Sequence, residues 1–89
     1  MLRITVVESS NDNVRLRVEG RVIGRWVEEL RRSCEIHALN HGTKLALDLV
    51  DVSFVDADGV ALLRSLRGHH VMLLNLTPFV TEQLKEPSS

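Results

Sequence analysis

Four carboxylates, Asp48, Asp51, Asp56 and Asp58, lie within eleven residues of one another. Acids near the end of a strand could hold Mg²⁺, and one of them could accept a phosphoryl group. Histidines offer other chemistry. His37 and His41 are four apart, a spacing that sets two imidazoles on one helix face for a metal. The helix they sit on ends there, however, and a histidine near a helix C-terminus is favoured by the dipole alone. His69 and His70 precede a strand with no carboxylate or cysteine grouped beside them. No metal and no cofactor is expected. Ser, His and Asp are all present, but nothing spaces them as a triad. No Gly-rich loop cradles a phosphate, and no acid pair declares a general acid and base. The chain does not read as an enzyme.

Cys34 is the only cysteine, which rules out an internal disulfide and suits a reducing compartment. Its place on an apolar stripe makes it a small buried residue. The net charge is −1 with acids and bases well mixed, so no field steers the chain to nucleic acid or anionic lipid. Two Phe, one Trp and no Tyr give no platform for stacking bases. Arg3 and Glu8 interrupt the apolar N-terminus, leaving neither a signal segment nor a membrane span. A cytoplasmic protein without direct membrane insertion is expected.

At 89 residues the chain is one domain, residues 1–89, with an ordered core over about 2–86. A domain this small buries about two-thirds of its unfolded surface and has little to spare for a deep pocket. A shallow surface used on a partner suits it better.

The elements follow from hydrophobic period. Leu2, Ile4 and Val6 alternate with polar neighbours, as do Val14, Leu16 and Val18, predicting two half-buried strands. The turn formers Ser9 to Asn13 between them predict a hairpin. From about Gly24 to Asn40 the period is helical, with Ile23, Val27, Leu30, Cys34 and Ala38 on one stripe. Trp26 flanks that stripe, either covering the core edge or serving as an interface anchor. Asn40-His41-Gly42 is a stop signal. Lys44 to Val50 is apolar except for Asp48, the pattern of a strand covered on both faces. Asp56-Ala57-Asp58-Gly59 opens a second helix with Leu62, Leu63 and Leu66 inward, closed by Arg67-Gly68. Val71 to Leu74 predicts a short interior strand. Thr77-Pro78 starts a third helix docked by Phe79, Val80 and Leu84. Glu86 to Ser89 reads as a frayed tail. The expected fold is α/β: a mixed four-stranded sheet in the order β-β-α-β-α-β-α, with right-handed crossovers and helices mainly on one face.

The stretch from Leu45 to Leu63 carries the most information. A buried strand ending in Asp48-Leu49 is followed by Val52-Ser53-Phe54, then Asp56, then a small-residue turn ending in Gly59 at a helix start. A helix N-terminus offers unpaired N–H groups and partial positive charge, which Asp56 and Asp58 are placed to complement. Both acids also make sense as ordinary helix-start residues, and Asp56 is the better cap.

This stretch resembles the central signature of STAS domains of the anti-sigma-factor-antagonist type, and the whole chain matches that family in element order and length. The resemblance implies a non-enzymatic interaction module in signalling and transcription regulation. Its protein partner would be an anti-sigma-factor kinase or another ATPase. The implied partner-binding residues are Ser53, Asp56, Ala57, Asp58 and Gly59. In this family the residue before the glycine is typically a Ser or Thr that the partner kinase phosphorylates, breaking the complex. Here that phospho-acceptor position is Asp58, preceded by Ala57, so neither offers a hydroxyl. A carboxylate carries about one negative charge against about 1.5 to 2 for a phosphoserine. Asp58 thus partly imitates the phosphorylated state. Ser53 and Ser65 remain hydroxyl-bearing neighbours, both read as structural. An alternative within the family is an accessory subunit that binds the ATPase of a lipid-transport ABC complex. A third possibility, a receiver-like phospho-acceptor domain using the four acids, fits poorly with a short chain that opens on a hairpin.

Overall fold

The computed structural model describes residues 2–10, 12–38 and 44–85. The two alternating segments form strands β1 (Leu2–Ser9) and β2 (Asn13–Val22), paired antiparallel. Ser10 closes the hairpin, its N–H donating to the Asn13 carbonyl at 2.8 Å. Helix α1 (Arg25–Ala38) crosses back to β3 (Lys44–Val55), which lies parallel to β2. Helix α2 (Ala57–Gly68) leads to β4 (Met72–Leu74), parallel to β3, and α3 (Pro78–Leu84) follows. The sheet order is β1-β2-β3-β4. The expected element order and mixed pairing are both present.

One row of strand side chains makes the core. Val14, Leu16, Val18 and Val22 of β2 and Leu45, Leu47, Leu49, Val52 and Val55 of β3 are buried. They lie under Val27, Leu30 and Cys34 of α1, Leu62 and Leu63 of α2, and Val80 and Leu84 of α3. On the opposite row Thr5, Arg15, Val50 and Met72 are exposed, whereas Asp48 is buried. Burial pushes the Cys34 thiol up to about 12, with the Glu35 charge adding to the shift, so this thiol stays protonated and inert.

Several expectations need correcting. The β3 strand runs to Val55, well past Val50. Its pairing with β2 shifts register twice, between Arg17 and Glu19 and between Gly20 and Arg21. Each shift breaks the period-two alternation, so Val52-Ser53-Phe54 does not look like strand in sequence. Val50 is 45% exposed, so the second face of β3 is open there, although Asp48 on the same face is buried. β4 is an edge strand of three residues, with Met72 exposed. Ala38 ends α1, but its side chain and the stop signal Asn40-His41-Gly42 lie outside the described residues, as does the tail from Glu86.

Thr77 caps α3 as expected, its hydroxyl accepting from the Val80 N–H at 3.2 Å with Pro78 at the first turn. Val80 and Leu84 dock the helix, whereas Phe79 does not. Phe79 is half-exposed and lies against Phe54, ring centroids 5.9 Å apart. The first helical turn places positions 79 and 80 on different faces. An aromatic pair of this kind is worth about 0.5–1.5 kcal/mol beyond the area it buries. With half of Phe79 exposed, Phe79→Ser is therefore expected to cost about 1–2.5 kcal/mol in urea unfolding, against about 3–5 kcal/mol for deleting a buried Phe. A loss in the larger range would show that Phe79 belongs to the core after all.

Candidate functional site

The site is built where β3 ends and α2 begins. Asp56 is the N-cap of α2, with extended backbone. Its Oδ1 accepts from the Gly59 N–H at 2.8 Å, the bond expected of a cap. Its Oδ2 accepts from the Gly24 N–H at 2.9 Å, from a residue 32 positions earlier. The Asp56 N–H in turn donates to the Val22 carbonyl at 3.1 Å. One carboxylate thus ties the junction of β2 and α1 to the junction of β3 and α2. The Gly24 and Gly59 N–H groups hold that carboxyl below the usual carboxylate range.

Gly24 belongs to this site and nothing local in the sequence marks it. It has φ +51, which an L side chain rarely adopts, and its N–H donates to the Asp56 carboxylate. Gly59 is needed for a different reason. A Cβ there would stand 2.6 Å from both the Val22 carbonyl oxygen and Val55 Cγ1.

Asp58 differs from Asp56 in every respect that matters. It is exposed, and among the described residues its carboxylate has neither a hydrogen bond nor an ion pair. It stands at the head of a groove of about 360 Å³ between α1 and α2, lined also by Gly24, Glu28, Arg31, Leu62 and Ser65. Positions 58, 62 and 65 form one stripe of α2 facing α1. Ser65, read as structural, carries an exposed hydroxyl in this groove. Glu28 and Arg31 of α1 pair across 3.6 Å on its other wall. Ala57 is exposed in the first turn of α2.

Ser53 does not join this group. It lies within β3, its hydroxyl donating to the Gly20 carbonyl at 3.2 Å. It lines a separate depression with Arg21, Ile23 and Phe54. Of the five residues proposed from sequence, Asp56 and Gly59 touch, Ala57 and Asp58 lie between them in the turn, and Ser53 serves the sheet.

The remaining acids are also dispersed. Asp48 is buried, with Oδ1 accepting from the Val50 N–H at 3.1 Å and from Asn75 Nδ2 at 3.1 Å. Arg17 lies 3.9 Å from its Oδ2. The Asn75 amide above all, then the Val50 N–H and Arg17, hold its carboxyl low against the opposing effect of burial. Asn75 takes φ 55 to reach it, a conformation asparagine tolerates. Among the described residues no group of three or more His, Cys, Asp or Glu is placed to hold a metal ion. His41 lies outside those residues, so the His37 pairing has no structural counterpart here.

Neither a protein-family model nor a curated protein matches the chain. Solved structures do match it. The anti-sigma factor antagonist SpoIIAA, in its unphosphorylated form, superposes with a TM-score of 0.67 at 20% identity, over 91% of this chain and 80% of that one. An anti-sigma-factor antagonist STAS domain from Rhodobacter sphaeroides superposes with a TM-score of 0.66 at 15% identity, over 96% of this chain and 92% of that one. The chain has the STAS fold. At these identities the likeness is one of architecture. No helix among the described residues is long and apolar enough to cross a membrane.

Proposed function

We propose that this STAS-fold chain is a non-enzymatic interaction module of the anti-sigma-factor-antagonist type. It docks an anti-sigma kinase or a related ATPase through the turn from Asp56 to Gly59 and the adjoining α1–α2 groove. The observation that carries this reading is the contrast between the two acids of the turn. Asp56 has both carboxylate oxygens occupied by backbone N–H groups, whereas Asp58 is exposed and unpaired among the described residues. A structural acid and a presented acid stand two residues apart. Asp58 occupies the position that carries the phosphorylated hydroxyl in this family, so the negative charge is permanent here. The module works in the cytoplasm, and its partner accepts that charge or is held off by it.

The same missing hydroxyl favours a second use of the fold, an accessory subunit of a lipid-transport ABC complex, which needs no kinase. Baits of wild type and Asp58→Ser in the host's lysate separate the two. Asp58 is exposed, so the exchange is expected to change stability by less than about 1 kcal/mol. Capture of a histidine-kinase-like ATPase, about tenfold stronger with the Ser bait, is the expected result. Equal capture of an ABC-type ATPase by both baits would transfer the assignment to the accessory subunit. Capture of neither class would overturn both.

A further inference from the structure

The outer edge of the sheet at β1 is long, open and patterned. β1 has eight residues, contains no Pro or Lys, and among the described residues has no strand beyond it. Val6 and Val7 are 47% and 43% exposed. An unpaired edge of this kind is a template for another strand unless the protein blunts it.

We propose that β1 pairs antiparallel with β1 of a second copy of this chain, around a two-fold axis beside Thr5, joining the two sheets into one. The side chains on both faces of the seam select this occupant. On the helix-free face, Arg3 lies opposite Glu19 and Glu8 opposite Arg15 in the pairing with β2. Setting Thr5 against Thr5 of the second copy brings Arg3 of each chain to Glu8 of the other. The row across the four strands then reads Arg15, Glu8, Arg3, Glu19, alternating in sign throughout. On the helix-covered face, the same register sets Ile4 against Val6 and Val7, extending the row of Leu16 and Val18.

The register depends on the bulge. Between Val6 and Glu8 the β1–β2 pairing shifts, so Val6 and Val7 together occupy one step of the ladder. Bulges often protect edges by twisting them away. Here the extra residue is what brings Glu8, not Val7, level with Arg3 of the second copy. The site at Asp56 to Gly59 belongs to β3 and α2, so the seam does not use it.

A seam of one strand pair is small beside the ~1,200 Å² at the low end of stable complexes, so a weak dimer that depends on concentration is expected. Sedimentation equilibrium of the whole chain from about 5 to about 500 µM tests this, because a dimer's population depends on protomer concentration. The average mass is expected to rise from monomer toward dimer. Thr5→Lys sets two ammonium groups against each other and is expected to weaken dimerisation at least about tenfold. Arg3→Glu is expected to weaken it also, and Arg3→Glu with Glu8→Arg to recover most of the loss. All three sites are exposed in the single chain, and circular dichroism at low concentration checks that each variant is folded. A monomer mass across the whole range would overturn the proposal. So would a dimer indifferent to both Thr5→Lys and Arg3→Glu, which would place the contact elsewhere.

Discussion

Replacing Gly59 by alanine is expected to destabilise the fold by about 2–4 kcal/mol, lowering Tm by roughly 10–25 °C. Two effects oppose each other. Alanine is the better helix former, by up to about 1 kcal/mol in a helix interior and less in a first turn. Against this, the new methyl would lie 2.6 Å from the Val22 carbonyl oxygen and 2.6 Å from Val55 Cγ1. Val55 is a flexible obstacle only in principle, because it is fully buried. Val22 is backbone, and its carbonyl is the acceptor for the Asp56 N–H. Relieving the clash means lifting α2 off the sheet or breaking that bond, so the steric cost wins. Gly68, at the end of α2, has nothing within 4 Å of its would-be Cβ and is the control. Urea unfolding of both variants gives the answer. Equal effects at positions 59 and 68 would mean that the close approach of α2 to β2 is not a constraint.

Removing the Asp56 carboxylate is the second large effect. Asp56→Ala leaves the Gly24 and Gly59 N–H groups without their partner, where an ordinary N-cap loss frees only one. A fall in Tm of about 5–12 °C is expected. The pH dependence has a definite sign. Folded Asp56 titrates below its ordinary value of 3.8, so the unfolded chain binds the proton more readily. The carboxylate's contribution is fully present above that ordinary value and is lost as pH falls through the lower, folded one. Asp48 is shifted in the same direction by Asn75, Val50 and Arg17 and adds to the same acid limb. Asp56→Asn should therefore flatten the decline of Tm below about pH 4 without removing it. An unchanged acid limb in Asp56→Asn would show that the two N–H bonds do not stabilise the charged form.

The sequence made the elements legible wherever one physical period ran undisturbed. The two hairpin strands, the stripe of α1 and the Thr77-Pro78 cap all depend on neighbours within a few residues. The misjudged features depend on distant ones. The end of β3 is strand because Gly20 and Val22 pair with Val52 and Val55 across two register shifts. Phe79 turns outward because Val80 and Leu84 already fill the space under α3. Gly24 reaches the site only because the crossover through α1 returns the chain beside Asp56. At the site, the Asp56 cap was readable from its spacing to Gly59. The different situations of Ser53 and Asp58 were not, because close in sequence they look onto separate surfaces.

The central place of β2 sets a schedule for the chain during synthesis. Its antiparallel partner β1 precedes it by a short turn, so that hairpin can close within microseconds of emerging. Its parallel partner β3 is complete only at Val55, some 33 residues after Val22. At a translation rate of about 5–20 residues per second that interval lasts roughly 2–7 s. Until β3 begins at Lys44 the side of β2 that it will occupy remains an open edge, and Val14, Leu16 and Val18 have at most α1 to cover them. The nascent chain is most exposed to mispairing after its first two strands have formed, before the third arrives.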